Sequence, residues 1–159
     1  MNDLVAGAVA GAAGTTALNV TTYLDMAVRG RPASTVPEEA VKLAGDKLGV
    51  PIAPHDWQSE EIREKAANRQ TALGALAGLA TGISMGALYG IARGRAQGIR
   101  IPVAGVIVGL GAMALSDVPL TASGLTDPRK WGVAGWASDV VPHLVYGFFT
   151  ALTFDALRD

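Results

Sequence analysis

Residues 71–92 read TALGALAGLATGISMGALYGIA, a run with no charged side chain and with glycine at every fourth position. The glycines are Gly74, Gly78, Gly82, Gly86 and Gly90, and the spacing continues through Gly94 and Gly98. In water each interior glycine costs a helix about 0.5–1 kcal/mol relative to alanine, so this would be a poor soluble helix. In a bilayer the backbone must satisfy its own hydrogen bonds, so the helix holds and the bare glycines become a contact surface. Each four-residue step turns the helix about 400°, and the stripe drifts slowly around the axis. Such a drift suits the close, right-handed crossings of glycine-xxx-glycine packing. The stretch predicts a membrane-spanning helix.

Outward from this run, the same logic extends to most of the chain. Half of the 159 residues are hydrophobic and only 17% are charged, and the charges are bunched. Stretches nearly free of them cover 4–24, 71–92, 101–115 and 140–154. About 20 helical residues cross a hydrocarbon core of about 30 Å. The first two stretches meet that length outright. The third meets it by running through Ser116 and Asp117 to Leu120, and the fourth by taking in Ser138, Asp139 and Leu157. The predicted fold is all-α, a single membrane domain over 1–159 with transmembrane helices at approximately 4–26, 71–92, 101–120 and 136–157. Gly7, Gly11, Gly105 and Gly109 extend the helix-packing faces to spans one and three. The first stretch is expected to stay as a span rather than be cleaved as a signal, because no Lys or Arg precedes it and it exceeds the usual apolar region.

Residues 32–70 form the sizeable water-facing loop. A helix start is expected at Ser34, Thr35 and Pro37, with Glu38 and Glu39 in its first turn. Ala40, Val41, Leu43, Ala44 and Leu48 then give one apolar face to about three turns. The charged segment 59–70 is expected to continue as helix into span two. Pro142 falls one turn into span four, where a missing N–H is tolerated. Val145, Tyr146 and Gly147 echo Leu88, Tyr89 and Gly90, but the other landmarks do not align at one offset and no tandem repeat is indicated.

Several functions are disfavoured. The chain has no cysteine, which removes disulfides, thiolate nucleophiles and Cys-based metal sites. The formal net charge is −1 and the basic residues form no run, so nucleic acid is not an expected partner. No nucleophile elbow, P-loop or dinucleotide pattern is present, and Gly7, Gly11 and Gly14 lack the preceding strand and following lysine of a phosphate loop. No cofactor is expected, haem included, and no enzymatic activity. His55, beside Asp56 and Trp57 in a proline-rich loop, reads as a solvated histidine.

With four spans, the end of span one, the start of span two, the end of span three and the start of span four share one membrane face. That face collects Asp25, Arg29, Asn68, Arg69, Gln70, Asp117, Asp139 and His143, with Trp57, Trp131 and Trp136 as interfacial anchors. Asp139 and His143 are four apart and lie on one helical side. One reading of Asp25, Asp117, Asp139 and His143 is structural, with carboxylates bonded to neighbouring arginines and helix ends. The other is a proton relay or cation site, since intramembrane ionisable groups often mark pathways. A zinc or manganese site would need a ligand spacing that the sequence does not show.

For orientation, loops one and three hold Arg29, Arg31, Lys42, Arg63, Lys65, Arg69, Arg129 and Lys130, against Arg93, Arg95, Arg100 and Arg158 on the other face. The excess places those loops in the cytoplasm and both termini outside.

The segments TTYLDMAVRGRPAS at 21–34 and SDVVPHLVYG at 138–147 resemble those of uncharacterised small four-span membrane proteins of high-GC actinobacteria. The likeness spans essentially the whole chain. It implies a compartment, the plasma membrane, and no reaction, and it puts Asp25, Asp139 and His143 first for mutation. The expected function is that of a non-enzymatic, multi-pass membrane protein that self-associates or serves as an accessory subunit of a larger membrane complex. The alternative is a small proton- or ion-coupled transporter or channel using the Asp/His cluster.

Overall fold

In a computed structural model, which describes residues 1–50, 52, 59–95 and 98–158, every regular element is helical. The elements are α1 (Asp3–Arg29), α2 (Val36–Leu48), α3 (Glu60–Arg95), α4 (Ile101–Ala122), a 3-10 turn (Pro128–Lys130) and α5 (Gly132–Ala156). Each end has a local cause. Asn2 caps α1, its side-chain oxygen accepting the Val5 N–H at 2.8 Å. Gly30, at φ 63°, and Gly49, at φ 69°, end α1 and α2 in the left-handed conformation that glycine adopts without strain. Pro37 and Pro102 stand in the first turns of α2 and α4, where no N–H is missed.

Helices α1, α3 and α4 are long and apolar enough to cross a membrane. That is three by length and composition, where the charge gaps suggest four. Helix α5 has the length, but Asp139, Pro142 and His143 dilute its apolar character. Its start also differs from expectation. The Asp127 carboxylate accepts the Arg129 N–H and winds the 3-10 turn, so α5 begins at Gly132 and Pro142 lies well inside it. There the proline leaves the Ser138 carbonyl without its helical donor. Helix α3 runs unbroken from the charged segment into the glycine stretch, about 54 Å at 1.5 Å per residue.

Helix α1 packs against α3 and α5, and α4 packs against α5. Helices α3 and α4, although joined by a short link, touch little, and α2 lies on α3. Where helices meet, the residues are small. A methyl group on Gly7 would fall 2.9 Å from the Gly90 Cα, and one on Gly11 2.9 Å from the Gly86 Cα. Gly105 and Gly109 meet Phe148, His143 and Leu144 in the same way, and Gly147 lies against Gly105 and Gly109. Gly14 abuts Tyr146 and Thr150. Gly82 lies against Thr15 and Gly74 against Pro37, whereas Gly78 has nothing within 4 Å.

The buried apolar residues are mostly alanines, with Val108, Tyr146 and Phe154, while Leu76, Leu88, Ile107, Val118, Phe148 and Phe149 stand exposed. Large side chains outside and small ones inside reverse the order of a soluble core. Tyr146 and Phe154 are the exceptions in size, and Tyr146 is the more deeply buried. It is 1% exposed, packs near Leu18, Met85, Tyr89 and Val108, and donates its hydroxyl to the Gly82 carbonyl at 2.7 Å. Groups from α1, α3 and α4 therefore converge on one ring of α5.

Candidate functional site

The structure divides the four candidate relay residues into two groups, carried by adjacent positions on α5. Ser138 turns toward α1 and Asp139 toward α4. On the α1 side, Asp25 is neutralised. Its carboxylate takes the Arg29 Nε at 2.6 Å and the Arg31 Nε at 2.5 Å, and accepts the Ser138 hydroxyl at 3.2 Å. Arg29 also donates to Ser138 Oγ. Arg29 is one turn below Asp25 on the same helix. Arg31 reaches the same carboxylate because Gly30 reverses the chain at the helix end. One carboxylate held by two guanidiniums is an anchor between α1 and α5.

On the α4 side, the neutralising cations are missing. The Asp117 and Asp139 carboxyls face each other across the α4–α5 contact. One oxygen of each, Asp117 Oδ2 and Asp139 Oδ2, is buried and lacks a hydrogen-bond partner. Asp117 Oδ1 takes the Ser116 hydroxyl at 3.4 Å, and that hydroxyl also donates to the Met113 carbonyl at 2.9 Å. His143 stands over the other side of Asp139, its Nδ1 2.8 Å from the Asp139 carbonyl and 3.5 Å from Oδ1. A carbonyl only accepts, so Nδ1 carries the proton. Among the described residues no Lys or Arg pairs with Asp117 or Asp139. Each carboxyl thus keeps one buried oxygen whose hydrogen-bonding capacity is unfilled within the bundle. The arrangement can hold a proton or a small cation. No group of three or more His, Asp or Glu side chains converges as metal ligands would among the described residues.

The remaining candidates take structural places. Trp131 and Trp136 contact at 5.1 Å between ring centroids with their planes tilted by 59°, and the Trp131 indole donates to Thr126 Oγ1 at 2.9 Å, which ties the 3-10 turn to α5. Trp57 and His55 lie outside the described residues. Asn68 and Arg69 are exposed on α3, and neighbouring Thr71 donates to Glu38 of α2 at 2.6 Å.

The opposite end carries a second polar network that the candidate set omits. Arg93 pairs with Asp155 at 3.1 Å and donates to the Ile99 carbonyl at 2.8 Å. Arg158 pairs with Asp3 at 3.0 Å and donates to the Met1 carbonyl at 3.1 Å. These bonds join the start of α1, the end of α3 and the end of α5. The signal available for them was their position: the alternating topology places 3, 93, 155 and 158 at one end. Comparison with known families, curated proteins and solved structures gives no match for this chain.

Proposed function

We propose that the chain is a non-enzymatic, multi-pass protein of the plasma membrane. All four long helices cross the bilayer, and the bundle self-associates along α3. The observation that carries the membrane reading is the inverted distribution of size, with glycine and alanine between helices and leucine, isoleucine, valine and phenylalanine outside. Helix α5 packs along α1 and α4 and supplies the central Tyr146, so it must share their surroundings. The glycine stripe of α3 supports association. Gly82, Gly86, Gly90 and Gly94 are covered by α1 and Gly74 by α2. Gly78 stays uncovered among the exposed Leu73, Leu76 and Leu79, a small notch in an apolar ridge that an identical helix fits. Crosslinking and native mass measurement in mild detergent test this. A dimer or higher species is expected, and a strictly monomeric, partnerless chain from native membranes would overturn the association.

A second reading is favoured by the orphaned oxygens of Asp117 and Asp139: proton or ion handling on one membrane face. It is reduced from four relay groups to three, because Asp25 is fixed by two arginines. In proteoliposomes it requires a pH-dependent flux that drops in Asp139→Asn and His143→Ala. Equal flux in both variants and in empty vesicles removes it.

A further inference from the structure

Two apolar furrows flank Trp136 where α4, the 3-10 turn and α5 meet. One, of about 710 Å³, runs along the outer face of α5 past Val133, Val140 and Val141. The other, of about 530 Å³, lies toward α4 beside Leu110, Met113 and Val118, with Asp117 in its wall. Pro128 and Trp136 line both. Arg129 lines the first furrow beside Pro128, and Lys130 follows it in sequence; the two side chains are 89% and 82% exposed. Their counter-charge is a single carboxylate, Asp127, at 2.9 Å from Arg129 and 3.7 Å from Lys130. The Arg129 guanidinium holds Asp127 below the usual carboxylate range, so Asp127 is ionised at neutral pH and offsets one of the two cations.

Resting on the membrane reading above, we propose that this corner binds one anionic phospholipid, its two acyl chains straddling Trp136 and its phosphate against Arg129 and Lys130. Two furrows with Pro128 and Trp136 as a common wall suit a two-chain lipid, one chain in each. The residual positive charge selects an anionic headgroup. The first furrow follows α5 for about 12 Å from Val133 to Val141, enough for the upper half of a chain. The paired Trp131 and Trp136 indoles suit headgroup depth. The loop orientation expected from Lys and Arg puts this corner on the cytoplasmic leaflet, where anionic lipids concentrate.

The full chain is reconstituted in nanodiscs of equal phosphatidylglycerol and phosphatidylcholine, and the lipid retained after transfer to mild detergent is identified by native mass spectrometry. One uncompensated cation near a charged headgroup corresponds to a preference of about fivefold for phosphatidylglycerol. The Arg129→Ala, Lys130→Ala double variant, which leaves the Asp127 carboxylate alone, is expected to lose or reverse the preference, and Asp127→Asn to raise it. Arg63→Ala with Lys65→Ala, which alters exposed pairs on α3, leaves it unchanged. Circular dichroism confirms that the variants keep their helix content. Equal retention by the wild type, preference surviving the double variant, or a second copy of the chain filling the furrows would each overturn the proposal. Failure of the chain to enter nanodiscs would reject the membrane reading itself, while stable insertion without selectivity rejects only the lipid site.

Discussion

At the scale of residues, Tyr146 is the position on which the bundle most depends. Its ring fills space between the packed helices, and its hydroxyl bonds a backbone carbonyl that already serves the α3 ladder. Tyr146→Phe keeps the ring and loses one bond, and is expected to cost about 1 kcal/mol. Tyr146→Ala opens a cavity and is expected to cost about 3–5 kcal/mol. Thermal unfolding in detergent separates the two, and an equal loss would show that the ring does not fill the centre. The tyrosine was visible in sequence as half of an echo, Tyr146 and Gly147 against Tyr89 and Gly90. The echo is no repeat of whole helices, yet it has a physical use. In both cases the glycine lets another backbone approach while the tyrosine beside it fills the space between helices. Spacing alone could not show this, because it depends on which helix comes near. The same holds for Asp25, whose second arginine arrives only through the reversal at Gly30.

At the scale of elements, the four-residue glycine period was legible because it belongs to one helix and needs no knowledge of a partner. The order of packing was not legible. Helix α3 is joined to α4 by a short link but packs on α1, because Gly7 and Gly11 offer α3 a matching bare face. Helix α4 offers its own glycines to α5 instead. The start of α5 was hidden in a loop whose winding rests on the Asp127 side-chain cap and on backbone bonds from Lys130 and Trp131. The glycines also make a prediction at this scale. Gly11→Val drives a branched side chain into the backbone of Gly82 and Gly86, and is expected to cost about 1–3 kcal/mol or to separate α1 from α3. Gly78→Val, with open space around it, leaves the folded monomer intact. Unfolding midpoints in detergent check the pair, and equal losses would contradict the α1–α3 contact.

At the scale of the whole molecule, the ion pairs gather at the two ends, and the helix surface between them carries no Asp, Glu, Lys or Arg among the described residues. Asp25, Arg29, Arg31, Asp117, Asp139 and His143 stand toward one end, and Asp3, Arg93, Asp155 and Arg158 at the other. Alternating topology made that gathering predictable, including the approach of Asp117 to Asp139. Which carboxylates would find arginines depended on side-chain reach, and so appeared only with the fold. Helix α5 is the element on which the membrane account turns, since its composition alone does not qualify it as a span.

The chain's lack of cysteine makes single-cysteine labelling a clean test of that account. Phe149→Cys on the exposed face of α5 and Ile107→Cys on α4 are treated with a membrane-impermeant maleimide in intact membranes, with Ser123→Cys and Arg100→Cys as references for the two ends. The account predicts that positions 149 and 107 stay unlabelled until the bilayer is dissolved, and that 123 and 100 label from opposite sides. Ready labelling of 149 in intact membranes would contradict it.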